Sequence, residues 1–458
     1  MRYFAFMSDR IVLIKNCRIV NEGSITEGDV KIVDKRIEKI AKSISEPKAK
    51  TLIIDAKGKY LLPGMIDDQV HFRDPGLIHK ADIFTESMAA VAGGVTSYMD
   101  MPNTLPNTLT QELLNEKYKL GAEKSIANYS FFMGVNKNNL EEVLKTDNES
   151  VCGVTDDGLY FDDDEGILAN YPDYLEKLFS KVETLVALHS EDDAIIKQNT
   201  EKYRKQFGNE IPFEYHSKIR SEEACVTATK RVLEIAKRHQ TRFHLYHVST
   251  AAEANLLDKG NQIRDKRITG EACVHHLMFN DQDYEELGRW IKWNPSIKTK
   301  ADQEGLLKAL IDGKLDIIAT DHAPHTKEEK LGNYFGSKSG GPLVQHALPS
   351  VLELHHLGKL TLPEVAEKTA HNVAEIYRMV DRGYIREGYF ADLVLVSDEK
   401  PWFVREKNLL YKCGWSPFLG RKFHFDITHT FVNGRLVFAN GKIDPAERGM
   451  RLMFEKER

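Results

Sequence analysis

From Ile11 to Leu62 apolar and polar positions alternate in short runs, IVLIKNCRIV, GDVKIV and KTLIIDAKGKYLLPG, with turn residues between them. A period of two marks strands with one buried face, so this stretch predicts antiparallel sheet. The same texture returns in GYIREGYFADLVLVS and DITHTFVNGRLVFANGKI, where Asn433-Gly434 is a hairpin signal. Residues 1–62 and 385–458 are therefore expected to build one small β domain from both chain ends. Between them, over residues 63–384, strand-like and helix-like periods take turns. Strands are predicted at Met65–His71, Val95–Met101, Ala127–Val135, Val151–Thr155, Thr184–His189, Arg242–His247, Ile268–Val274 and Ile317–Asp321. Helical segments such as Ile83–Ala92, Glu222–Arg238 and Asp302–Ile311 separate them, with Gly93 and Gly94 as a helix stop. Eight such units predict a (β/α)₈ barrel, so the fold class is α/β with the small β domain as companion. No internal repeat, low-complexity tract or Pro/Ser-rich linker interrupts this order.

Composition narrows the partners. At 458 residues and 41% hydrophobic content the chain is long enough for a large domain and a smaller one. The net charge is −6, with both signs interspersed and no basic stripe, which points to a small-molecule partner and away from nucleic acid. Cys17, Cys152, Cys225, Cys273 and Cys413 are odd in number, widely spaced and free of CxxC pairs. They read as reduced thiols, and mostly as small buried hydrophobes. The start, MRYFAFMSDR, has too short an apolar patch for a signal peptide or a membrane span, so the cytoplasm is the expected location.

Reactive residues of a barrel sit where strands end at its C-terminal face. Here strand one delivers Gln69, His71 and Arg73 within PGMIDDQVHFRDPG, strand five His189, strand six His247 and strand eight Asp321. Any one of these histidines alone is more often a structural residue. Three histidines and an aspartate on four strand ends supply the donors of a catalytic zinc with an open position. Such an ion lowers the pKa of bound water, and a carboxylate such as Asp321 can accept and return the proton.

These motifs resemble the cyclic amidohydrolases, and within them dihydroorotase. The likeness runs through PGMIDDQVHFRDPG, AAVAGGVTSYMDMPNT, LHSEDDAII, FHLYHVST, EACVHHL, KWNPSIK, ATDHAPHTKEEK, SGGPLVQHALP and GYIREGYFADLVLV, and so covers most of the chain. It implies a (β/α)₈ barrel with a β-sandwich companion and a metal-dependent enzyme of pyrimidine biosynthesis that interconverts N-carbamoyl-aspartate and dihydroorotate; a homo-oligomer is the family's usual habit. It implies His71, His189, His247 and Asp321 as metal ligands, Asp321 doubling as general base then acid, and Arg73, Asn103, Asn294 and His325 as substrate-binding residues. A guanidinium fork suits a planar carboxylate, which is the role implied for Arg73. Glu271, His275 and His276 are assigned to packing or support, and His322 is left outside the site.

Two positions depart from the family pattern. Gln69 stands where relatives have histidine, and Thr155 where many relatives carry a lysine whose carbamate bridges two metals. The expectation is therefore one zinc ion rather than two. Asp157, two residues past Thr155, is on the same side of an extended strand and is a candidate replacement bridge. The competing reading, preferred on the sequence, makes Asp156 to Glu165 a solvated acidic loop. Two other functions stand beside dihydroorotase: a dihydropyrimidinase-like hydrolase, and a catalytically silent scaffold.

Overall fold

A computed structural model describes residues 11–46, 51–159 and 167–456. The N-terminal alternation becomes five strands, β1 (Ile11–Asn21), β2 (Ser24–Val33), β3 (Arg36–Ala41), β4 (Leu52–Asp55) and β5 (Tyr60–Pro63). The barrel strands are β6 (Met65–Val70), β7 (Val95–Asp100), β8 (Asn128–Phe131) with its continuation β9 (Met133–Gly134), β10 (Val154–Thr155), β11 (Val186–Leu188), β12 (Phe243–Leu245), β13 (Ile268–Cys273) and β14 (Ile317–Ala319). Each falls inside one of the eight predicted segments. All pair in parallel, from β6 through β8 and from β9 through β14. The ring closes where Val70 bridges His322 and the His71 N–H donates to the His322 carbonyl at 2.8 Å. Nearly every barrel-strand residue is buried, as a parallel sheet covered on both faces requires.

Caps set the helix limits. Asp82 accepts from Thr85 N ahead of Ile83–Ala92, and Gly94 takes φ +83° after it, where a left-handed stop was expected. Thr299 and Asp302 form a capping box, so the helix expected from Asp302 begins at Lys300.

After the barrel come β15 (Leu393–Ser397), β16 (Trp402–Phe403), β17 (Lys422–Phe423), β18 (Asp426–Val432), β19 (Arg435–Ala439) and β20 (Lys442–Ile443). A nine-stranded sheet runs β20-β19-β18-β15-β5-β1-β2-β3, with β4 on β1. Its seam is the antiparallel pair β5–β15, from Pro63 opposite Leu393 to Tyr60 opposite Val396, which joins the two chain ends. Asn433 (φ +50°) and Gly434 (φ +75°) turn the β18–β19 hairpin, the backbone such a two-residue loop demands. The chain then returns to the barrel, where Arg451 bridges Tyr129 and Phe454 bridges Met379. Leu452 and Phe454 pack with Ile66, Phe132, Leu185, Ile317, Tyr377 and Met379, sealing the end where the strands begin.

Candidate metal centre and substrate pocket

The polar residues of interest follow their strands by one or two positions: His71 after β6, Asp157 after β10, His189 after β11, His247 after β12 and Asp321 after β14. Three residues of this rim hold left-handed backbone, Arg73 (φ +66°), His247 (φ +35°) and Asp321 (φ +48°). Such conformations cost free energy in non-glycine residues and concentrate at functional sites.

Asp157 is the residue around which the rest are arranged. It is 3% exposed, and so is Asp156, which overturns the solvated-loop reading for both. The remaining acids of that run, Asp162, Asp163, Asp164 and Glu165, lie outside the described residues. The backbone explains the inward turn. Thr155 Oγ1 accepts from Asp157 N at 3.0 Å, and Asp156 accepts from His189 N at 3.2 Å and from Leu168 N at 3.0 Å. Gly158 follows at φ +75°, where a Cβ would stand 2.2 Å from Asn103 Nδ2.

On one side, Asp157 Oδ2 lies 3.2 Å from His71 Nε2, which is itself 3.1 Å from Asp321 Oδ1. On the other side, Asp157 Oδ1 lies 3.8 Å from His189 Nδ1 and 3.7 Å from His247 Nε2. Each group of three, His71-Asp157-Asp321 and Asp157-His189-His247, has its donor atoms within 4.8 Å of one another. One carboxylate thus belongs to both groups. Nitrogen and carboxylate oxygen are the donors that suit zinc and similar ions, so the residues fit a metal.

Outer contacts aim the ligands. His71 Nδ1–H donates to Asn103 Oδ1 at 2.7 Å, leaving Nε2 toward the two carboxylates. His189 Nε2–H donates to Glu191 at 2.8 Å, and Glu191 is paired with Arg220, leaving Nδ1 toward Asp157 and His247. Glu271 accepts from His247 N at 2.9 Å, the supporting role assigned to it. Burial disfavours a charged ring at His71 and His247. Hydrogen bonds to Asp157, with Asp321 adding at His71, outweigh it and raise both to about 9. Burial lowers His189 to about 4.

Gln69 is fully buried and serves Asp157. Its Nε2–H donates to Asp157 Oδ2 at 3.1 Å, while its Oε1 faces Cys273 Sγ at 3.5 Å. The glutamine thus presents an N–H to the carboxylate, and its carbonyl points elsewhere.

The centre opens into a cavity of about 140 Å³ lined by His71, Arg73, Asn103, Asn294, Asp321 and His325, together with Lys80 and Lys338. All four implied substrate residues are therefore at one mouth. Asn294 Oδ1 is buried there with no hydrogen-bond partner among the described residues, so it is an acceptor in need of a donor. His322 faces away, with Nε2 3.0 Å from Glu86, and His275 stacks on Trp293 at 4.7 Å. Sequence reasoning missed Asp156, Glu191, Arg220 and Lys80. For Glu191 the signal was present in its place two residues past His189.

A closed parallel barrel whose strand ends carry donors that fit a metal defines a hydrolase of the amidohydrolase type, and the sequence comparison agrees. The profile of the amidohydrolase family matches residues 60–437, and the chain belongs to that family, whose members depend on metal. Curated relatives include the dihydroorotase of Methanosarcina acetivorans, 30% identical over 444 residues covering 94% of this chain and 92% of that one. The dihydroorotase of Halobacterium salinarum is 30% identical over 437 residues, covering 92% and 96%. Among solved structures, the L-hydantoinase (dihydropyrimidinase) of Arthrobacter aurescens superposes with a TM-score of 0.88 at 23% identity, over 96% of this chain and 99% of that one. That last likeness bears on the fold alone. No helix among the described residues is long and apolar enough to cross a membrane.

Proposed function

We propose that the chain is a dihydroorotase, interconverting N-carbamoyl-aspartate and dihydroorotate by breaking and forming the ring amide bond. The observation that carries this is the placement of Arg73 and His325 in the same small cavity as His71 and Asp321. A substrate of this kind needs a carboxylate-binding group within one ring's width of the reacting amide. An uncharged dihydropyrimidine would gain nothing from Arg73, and a scaffold would need neither set.

Zinc is the proposed metal, held by His71 and Asp321 on one side and His189 and His247 on the other, with Asp157 shared. That sharing supports two ions where the loss of the lysine suggested one. Bound there, the metal would bring a water's pKa toward neutrality and polarise the ring carbonyl. Arg73 and His325 would grip the substrate carboxylate, Asn294 Oδ1 would accept from a ring N–H, and Asp321 would take the attacking water's proton and return it to the leaving nitrogen. Asn103 would hold His71 as well as border the substrate. By family habit the enzyme would be a homo-oligomer.

The test is metal content of the purified protein alongside dihydroorotate hydrolysis. Zinc near stoichiometric with turnover is expected, and a metal-free protein without turnover rejects the reading. Competition by orotate separates it from a dihydropyrimidinase-like activity, which orotate should leave unaffected.

A further inference from the structure

Lys80 lines the edge of the substrate pocket, outside the implied substrate set, and it is buried against His325. Its Nζ sits 3.3 Å from His325 Nδ1 and 3.0 Å from Glu329 Oε1. On the other edge of the same ring, Arg73 Nη2 lies 3.5 Å from His325 Nε2. Lys80, Arg73 and His325 are each under a tenth exposed, so water does little to separate them.

Lysine and arginine only donate, and a neutral imidazole has one acceptor nitrogen. Two cationic donors therefore face a ring that can satisfy one of them. Lys80 is the nearer, and it is held in place by Glu329. That carboxylate is itself fixed by accepting from Thr326 N at 2.9 Å. Glu329 Oε2 stands 3.6 Å from His325 Nδ1, farther than the Lys80 Nζ and past ordinary hydrogen-bond length. Burial pushes the His325 ring well below its usual range and keeps it neutral; the Glu329 carboxylate opposes this, and Arg73 and Lys80 add to it. Nδ1 is then the acceptor from Lys80, and the ring proton is on Nε2. Nε2–H and the Arg73 guanidinium are left side by side, two donors that cannot bond each other. An anionic oxygen between them would accept from both.

We propose that Lys80 is a positioning residue that fixes His325 as its Nε2–H tautomer, so that His325 and Arg73 together present converging donors to the substrate carboxylate. The identity of that carboxylate rests on the dihydroorotase reading; the tautomer does not.

The test is ¹⁵N spectroscopy of histidine-labelled, zinc-loaded protein, with the His325 signal identified by its loss in His325→Asn. The Nε2–H pattern is expected in the unaltered protein and in Lys80→Arg, and a shift toward Nδ1–H in Lys80→Met. An Nδ1–H pattern in the unaltered protein overturns the proposal and needs no variant to fold. In turnover, Lys80→Met should raise KM for dihydroorotate on the order of tenfold with little change in kcat, because the lost contact is remote from the reacting bond. Lys80→Arg should restore most of it. An unchanged KM in Lys80→Met also overturns the proposal. Absence of dihydroorotate turnover in the unaltered protein would instead reject the function, while the tautomer spectrum still decides the role of Lys80.

Discussion

Gln69 and Thr155 are two departures that Asp157 makes sense of together. A family-type histidine at 69 would bring a ligand, and a family-type lysine at 155 a bridge; here the glutamine donates to Asp157, two residues further on, the carboxylate proposed as the bridge. Asp157→Asn should therefore lower zinc affinity by two orders of magnitude or more, beyond the 10–100-fold typical of residues that only support a ligand. Gln69→Leu, which removes only the supporting N–H, should fall within that lower range. Titration against a chelator measures both, and wild-type affinity in Asp157→Asn would exclude it as a ligand. That His71, His189, His247 and Asp321 meet at one mouth was legible, because strand ends point into a barrel mouth whatever the loops do. Asp157 was harder to read, because six acids in ten residues look like a solvated run and only the Thr155 hydroxyl and the Gly158 turn show that the second of them faces inward.

At the scale of elements, the β16–β17 ribbon is tied to the barrel by an aromatic cluster around His346. Its ring is fully buried, stacks near Trp402 and Phe423, and shares a hydrogen bond of 2.8 Å with Tyr411 Oη. Burial lowers His346 to about 3, against 6.5 for an ordinary histidine. The unfolded chain therefore binds a proton between pH 6.5 and 3 that the folded protein refuses. Stability from this residue is complete above pH 6.5 and is lost as pH falls toward 3, by at most about 1.4 kcal/mol per pH unit. His346→Phe should flatten that part of the curve, as followed by urea unfolding at pH 7 and pH 4.5; an unaltered slope would show that the ring does not titrate on unfolding. Barrel strands were readable because continuous apolar runs between helix-like periods have few other uses. The ribbon was not, since two-residue strands carry no period, and its place depends on aromatic contacts with residues far along the chain.

The whole molecule is held together by long-range closures at both ends of the barrel. Leu452, with no exposed surface, plugs the end opposite the candidate metal centre, and its N–H donates to Tyr129 O at 2.8 Å. Leu452→Ala should cost about 2–5 kcal/mol, the usual range for such a truncation in a packed core. It should leave kcat nearly intact, because the reacting groups sit on the other rim. Chemical denaturation with a parallel rate assay checks this, and an unshifted midpoint would mean that the tail is not part of the core. Both chain ends could be paired on the sequence by their common texture, whereas the return of residues 444–456 to the barrel could not, because it rests on single bridges and two side chains.

The β5–β15 seam also bears on how the protein is made. As the chain leaves the ribosome, β5 emerges early and waits through the synthesis of the entire barrel for Leu393–Ser397 to cover its free edge. An edge left open that long can pair with another nascent chain. Expression at high rate should therefore favour aggregates formed through the N-terminal strands, and slowing synthesis or supplying a holding chaperone should recover soluble protein without any change of sequence.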